Sequence, residues 1–228
     1  MTKYSKYGVL RQGANWKELI FYKKTDVLYQ LTVVFCRRFL PPYGDRTVDQ
    51  MIQAARSGKQ NIVEGSEDGK TSTEMELRLL NVARSSIGEL HQDYQDYLAA
   101  HQLQLWTREH PRFQPMLDFC KAHADWDGYQ SMAERMPAED FCNTAITLCH
   151  QVDAMMNRYL QNLEKEFVTQ GGIKERMHKM RTGYRQQEEA ELHHLRQEVA
   201  ALKAENNNLK TQITTLQQQL AVAQKGNR

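Results

Sequence analysis

Residues 61–73 read NIVEGSEDGKTST, and the GSEDGKT within them decides between two folds. A glycine-rich loop ending in Gly-Lys-Thr after a buried strand would cradle a phosphate and make the chain an α/β nucleotide-binding protein. The same letters also suit a turn between two helices. Spacing separates the two readings. A phosphate loop of that type holds four residues between its first Gly and its Gly-Lys, whereas Gly65 and Gly69 enclose only Ser66, Glu67 and Asp68. Glu64, Glu67 and Asp68 would also set three carboxylates beside a polyphosphate, an electrostatic cost with no visible compensation. The stretch therefore reads as a helix exit at Gly65, an acidic turn, and a helix entry. That entry is expected to be capped by Thr73 with Glu76, or by Thr71 with Glu74 in a shifted register.

Working outward, the residues before and after this turn repeat at helical spacing. Trp16 to Phe39 carries Ile20, Val27, Leu31, Val34 and Phe35, and stops at Leu40-Pro41-Pro42-Tyr43-Gly44. From Thr47 the stripe is Val48, Met51, Ile52, Ala55, Ile62 and Val63, with Gly58 as a weak point. From Thr73 it is Met75, Leu79, Val82, Ala83, Ile87, Leu90, Tyr94 and Tyr97. The fourth runs through Phe141, Ala145, Leu148, Val152, Met156, Leu160, Leu163 and Phe167. No segment alternates like a strand. Four such stripes bury one another most simply in an antiparallel up-down four-helix bundle. Between the third and fourth helices, residues 101–140 carry Trp106 and Trp126 and predict short helices laid over one end of the bundle. A partner-binding surface there is the functional alternative.

The tail carries a different period. Leu192, Leu195, Val199, Leu202, Asn206, Leu209, Ile213, Leu216 and Leu220 alternate steps of three and four. With Leu192 at heptad position a, Val199, Asn206 and Ile213 also fall at a, and Leu195, Leu202, Leu209 and Leu216 at d. β-branched residues at a with Leu at d favour a parallel dimer, and a single a-position Asn sets register. Glu191, Glu198 and Glu205 fall at g, and Arg196, Lys203 and Lys210 at e, so all three charged pairs across a parallel dimer attract. The fold class expected is thus all-α, a four-helix bundle followed by a C-terminal parallel coiled coil. The segments are an arm at 1–14, a bundle at 15–168 with its insertion at 101–140, a basic suffix or hinge at 169–187, and heptads at 188–224.

Charge is distributed unevenly. Residues 1–60 hold 11 Lys/Arg against 4 Asp/Glu, residues 61–170 hold 9 against 18, and residues 171–228 hold 10 against 6. Such asymmetry suits an anionic partner, and equally suits complementarity between helices or subunits. The suffix concentrates Lys174, Arg176, Lys179, Arg181 and Arg185. It invites comparison with basic-zipper DNA readers, but Gly183 is expected to interrupt the helix, and the Asn and Ala-Ala positions that read bases are missing. A phosphate-contacting arm or a solvated hinge remains.

The four cysteines are expected as reduced, mostly buried thiols, because Cys142 and Cys149 would stand about 10 Å apart on one helix. His193 and His194 diverge on a helix, so no metal site is expected. No nucleophile triad, paired carboxylate or cofactor motif is present in sequence, and the expectation is a non-enzyme. Mean hydropathy of −0.72 and the absence of a long apolar run predict a soluble, cytoplasmic protein with no membrane span and no secretory signal.

The run from Arg38 to Leu90 resembles the four-helix bundle proteins encoded in intervening sequences of large-subunit ribosomal RNA genes, a family that includes the accessory variability determinant of diversity-generating retroelements. The residues that carry the resemblance are Gln50, Ala55, Ser57, Asn61, Ile62, Glu64 and Gly65, then Ala83, Ser86, Glu89 and Leu90. The insertion and the GGIKERMHKMR tail look like its suffix-domain subgroup. The resemblance implies a non-catalytic oligomeric module whose basic surfaces engage RNA or DNA. It also implies a pentameric ring, which competes with the dimer of the zipper pattern. In this reading Arg46, Arg56 and Lys59 join the suffix cations as nucleic-acid contacts. The motif residues are read as structural: Ala54, Ala55, Ser57 and Gly58 let helices approach, and Asn61 and Glu64 cap or bridge neighbouring ends. The other function class is a scaffold that is dimerised by its heptads and docks a protein partner.

Overall fold

The computed structural model describes residues 15–41 and 46–226, the side chains of 214–216 and 218–226 excepted. The expected arm at 1–14 lies outside the described residues, as do Pro42, Tyr43 and Gly44. The described chain is helical, with no strand among the described residues. A 3-10 turn at Trp16–Glu18 is followed by α1 (Ile20–Phe39), α2 (Arg46–Asp68), α3 (Thr73–Ala100), α4 (Phe113–Ala122), α5 (Asp127–Ala133), α6 (Ala138–Gln170) and α7 (Ile173–Gly226). Two compact units divide after Arg176.

In the first unit, α1 packs on α2 and α6, and α3 packs on α2 and α6. One core of apolar side chains lies among them, filled by Phe35, Tyr94, Phe141 and the Leu and Ile residues around them. Helix α1 stops where the pattern predicts. Leu40 is extended at φ −108° and ψ 151°, which is the conformation a following proline imposes on its predecessor. Ile20, assigned to the α1 stripe by spacing, is exposed instead.

Helix α2 departs from the sequence reading. It does not exit at Gly65 but continues to Asp68, and Gly65 is buried in its interior. A glycine inside a helix costs about 1 kcal/mol against alanine. Close packing on α3 explains its presence, because a Cβ at Gly65 would meet Leu79 Cβ at 3.3 Å. Seven residues earlier, a Cβ at Gly58 would meet the Ile87 Cδ1 atom at 2.8 Å. Gly58 and Gly65 thus let α3 approach, and Gly58 marks a contact rather than a break.

The entry to α3 is also re-assigned. The N-cap is Ser72, whose hydroxyl accepts the Met75 N–H at 3.1 Å, and not Thr73 or Thr71. Glu76 takes no part in a capping box. It is buried and accepts a hydrogen bond from the Tyr159 hydroxyl of α6 at 2.8 Å. The inward face of α3 is accordingly Glu76, Leu80, Ala83, Ile87, Leu90, Tyr94 and Leu98, while Met75 and Val82 face water.

The insertion holds α4 and α5, as expected for short helices, and both contribute to the core through Cys120, Tyr129 and Ala133. Its attachment is polar. The Lys24 ammonium, buried on α1, donates to the carbonyls of Cys120 and His123 at the C-terminal end of α4. Such groups have no intrahelical partner, and a cation there also suits the helix dipole. Arg38 donates to the Ala133 carbonyl, and Arg37 and Lys23 pair with Glu134 and Asp125.

Helix α6 ends at Gly171, whose φ of +75° an L side chain rarely adopts. All four cysteines are free and buried. Among the described residues, no helix is long and apolar enough to cross a membrane.

Candidate nucleic-acid interface

Among the described residues, most cations of the basic N-terminal third are engaged within the fold. Lys23, Lys24, Arg37 and Arg38 tie α1 to the insertion, as described above. Lys59 pairs with Asp26 and lies over the Tyr29 ring at 5.2 Å. Burial pulls the Lys59 ammonium down, but hydrogen bonding and charge from Asp26 outweigh it and leave its pKa raised. Further along, Arg84 meets Asp153 at 2.8 Å, and Arg112 meets Asp140 at 2.6 Å. The uneven charge along the chain is therefore in good part complementarity between helices. Lys59, expected as a phosphate contact, is held by Asp26. Arg56 and Arg46 are exposed.

The suffix residues divide as well. Lys174, Lys179, Arg181 and Arg185 are exposed, but Arg176 is buried, and its guanidinium donates to the Gly171 carbonyl at 2.8 Å. Arg176 is thus a cap on the end of α6 and is removed from the phosphate-contacting set. Gly183 does not interrupt the helix. Helix α7 runs unbroken from Ile173 to Gly226, so the basic segment and the heptads share one rod and no hinge separates them.

On that rod the heptad positions are open to water. Leu192, Leu195, Val199, Leu202, Leu209 and Ile213 are each 49–57% exposed, and Asn206 is exposed among them. The side chains of Leu216 and Leu220 lie outside the described residues. Six large apolar side chains aligned on one helix and half in water form a contiguous stripe of the kind that a partner helix covers.

A second feature was not anticipated. Gln50, Ser57, Ser86 and Glu89, four of the residues that carry the family resemblance, line one open groove between α2 and α3, with Arg46 and Asp93 beside them. Its volume is about 630 Å³. Ser57 and Ser86 are 3.0 Å apart, hydroxyl to hydroxyl, at its floor. Burial, with the Asp96 and Glu89 charges adding, pushes the Asp93 carboxyl up to about 6. The spacing of those residues in sequence showed two helix faces and not that they share a cleft. Asn61, expected to bridge a neighbouring end, turns back to its own helix, donating to the Ser57 carbonyl at 2.9 Å. Glu64 is exposed.

The tryptophans of the insertion face inward. Trp106 is buried, its indole N–H donates to Glu139 at 2.9 Å, and its ring stacks on His110 under the Arg112 guanidinium. Trp126 is half-buried against the core. Both tryptophans thus take part in packing the insertion against the core.

Comparison with protein-family models, with curated proteins and with solved structures returns no match.

Proposed function

We propose that the chain is a non-catalytic, oligomeric accessory protein that binds nucleic acid through the basic segment of α7. In this reading α1, α2, α3 and α6 form an antiparallel up-down four-helix bundle, and α7 pairs with other copies through its heptads as a parallel coiled coil. The observation that carries it is the unbroken α7, on which the exposed cations Lys179, Arg181 and Arg185 precede the exposed apolar stripe on the same helix. A polyanion is the partner that such a segment attracts at long range. Membership in the ribosomal RNA intervening-sequence and retroelement accessory family belongs to the same reading. It is supported by the motif residues, by the close α2–α3 packing at Gly58 and Gly65, and by the grouping of Gln50, Ser57, Ser86 and Glu89. A cytoplasmic setting, no cofactor and no resident metal complete it.

The test is salt-dependent binding of RNA and DNA by the full chain. Replacing Lys174, Lys179, Arg181 and Arg185 with Ala lowers affinity and flattens the log–log salt slope by about 0.9 for each duplex phosphate no longer neutralised. Salt-insensitive or absent binding by the intact protein overturns the reading.

A protein-interaction scaffold paired by the same heptads is the second reading. The groove between α2 and α3, carrying Arg46 beside Glu89 and Asp93, is the observation that favours it. Its sign is a stoichiometric protein partner that survives nuclease treatment and is lost on Glu89→Lys.

A further inference from the structure

Because α7 is continuous, the heptad register of its C-terminal part can be carried back through the basic segment without a phase break. With Leu192 at a, the preceding seam positions are Glu188 at d, Arg185 at a, Arg181 at d and His178 at a. The seam that is largely apolar from Leu192 onward therefore carries arginine at 181 and 185, with His178 before them and Glu188 after. Positions 178, 181 and 185 share one face of the helix at steps of three and four, and all three side chains are exposed.

Two physical consequences follow in a parallel pair. From Leu192 to Ile213, a meets a and d meets d, and each Glu at 191, 198 and 205 faces a cation at 196, 203 and 210 of the other copy. Upstream, Arg181 would meet Arg181 and Arg185 would meet Arg185 at positions that a closed seam removes from water. Desolvating each charge is unfavourable and like charges add to it, so the helices separate where the apolar seam ends. The separated arms then face each other with their cationic sides, and Lys179 lies one residue beside that face.

We infer that two copies of the chain, joined in parallel through Leu192–Ile213, fork upstream of Leu192 and grip duplex DNA between arms lined by His178, Arg181 and Arg185. The inference rests on the nucleic-acid reading above and adds the partner and the geometry. An α-helix enters the roughly 12 Å major groove of B-form DNA, whereas the major groove of duplex RNA is too deep and narrow to be read this way. The face from His178 to Arg185 spans about 10 Å of helix at 1.5 Å per residue. With no base-reading side chains recognised, the grip is on phosphates. Lys179, Arg181 and Arg185 from each copy together neutralise about six phosphates, for a log–log salt slope of about −5.

The experiment measures binding of the full chain to a random-sequence duplex DNA of about 20 base pairs over a salt series, with light-scattering mass in parallel. Three preparations are compared with wild type. The first replaces Leu195, Leu202 and Leu209 with Ala, which removes the seam at exposed positions while leaving every cation and the bundle core intact. The second is R181A with R185A. The third is a mixture of R196E/K203E/K210E with E191K/E198K/E205K, each self-repelling alone and attractive together. Unchanged helical circular dichroism and thermal midpoint of the core show that each has folded.

The expected results are a dimer with steep salt dependence for wild type, and a monomer bound at least 100-fold more weakly with about half the slope for the Leu variant. R181A/R185A stays dimeric and its slope falls by three to four units. The charge-swapped mixture recovers both dimer and affinity. A monomeric Leu variant that binds like wild type overturns the fork while leaving the nucleic-acid reading standing. A wild-type mass other than two chains, or tighter binding of duplex RNA or single strands than of duplex DNA, also overturns the fork. Absence of salt-sensitive binding to any nucleic acid overturns both.

Discussion

The Lys24 ammonium donates to the carbonyl oxygen of His123 at 3.1 Å, across 99 residues of sequence. Together with its bond to the Cys120 carbonyl, this interaction ends α4 from outside and fixes the insertion to α1. Lys24 is 4% exposed, and burial lowers its pKa. The Cys120 carbonyl thus meets Lys24, and the His123 carbonyl is shared between Lys24 and the Tyr129 hydroxyl, which donates to it at 3.2 Å.

Lys24→Met keeps the stem and removes the donor. The expected loss is about 1–3 kcal/mol, the cost of leaving buried polar groups unsatisfied. Urea denaturation checks it, and a change below about 0.5 kcal/mol would mean that water replaces the ammonium.

Gly69→Ala tests the packing behind the turn that first looked like a phosphate loop. A Cβ at Gly69 falls on the Glu76 carboxylate, which is buried and held by Tyr159. The substitution is expected to destabilise by about 1–3 kcal/mol. In a Glu76→Ala background the same change should cost much less, and additive effects of the two substitutions would refute the steric account.

Asp93 sets a pH dependence. Its carboxyl is raised to about 6 in the folded chain, against about 4 when unfolded. Between those values the folded state binds more protons than the unfolded one, so stability falls as pH rises through about 4 to 6 and then levels. Asp93→Asn removes this loss. The variant should be more stable than wild type above pH 7 by about 1 kcal/mol, allowing for partial solvent screening, and the two should converge near pH 4. Thermal midpoints across that range decide it; a constant offset would assign the effect to something other than titration.

Asn206 sits at an a position with apolar neighbours along the stripe. Asn206→Val is expected to strengthen self-association while admitting other registers or stoichiometries. Light scattering should therefore show tighter but more heterogeneous assembly. Unchanged mass and affinity would place residue 206 outside any seam.

The helices and most of their buried faces were legible because amphipathic spacing reports a core directly. Val27, Leu31, Ile62, Leu90 and Val152 are all buried as their period requires. Polar burial was not legible. Glu76 reads as a capping residue until Tyr159 is seen to reach it, and Lys24 reads as surface charge until α4 ends against it. Both depend on partners about 80 to 100 residues away. Glycine misled in a consistent direction. Gly65 and Gly183 carry a weak helix propensity of about 1 kcal/mol each, yet both lie inside helices. For Gly65 the reason is the closeness of α3. At Gly183 nothing stands within 4 Å of a Cβ, and the structure offers no packing reason for it. Of the candidate cations in the suffix, exposure retained Lys174, Lys179, Arg181 and Arg185, while Arg176 reads the same as they do in sequence but is buried, donating to the Gly171 carbonyl. The groove between α2 and α3 was hidden for another reason: adjacency of two helix faces is a tertiary fact that periodicity within each does not encode.

The four buried cysteines give the fold a built-in clock. Burial pushes the Cys120 thiol up to about 11 and raises those of Cys142 and Cys149 as well, and the thiolate is the form that alkylates. A thiol reagent at neutral pH can therefore react only when a segment opens. Cys36 on α1, Cys120 on α4, and Cys142 and Cys149 on α6 would time the opening of three separate helices in an otherwise unlabelled chain.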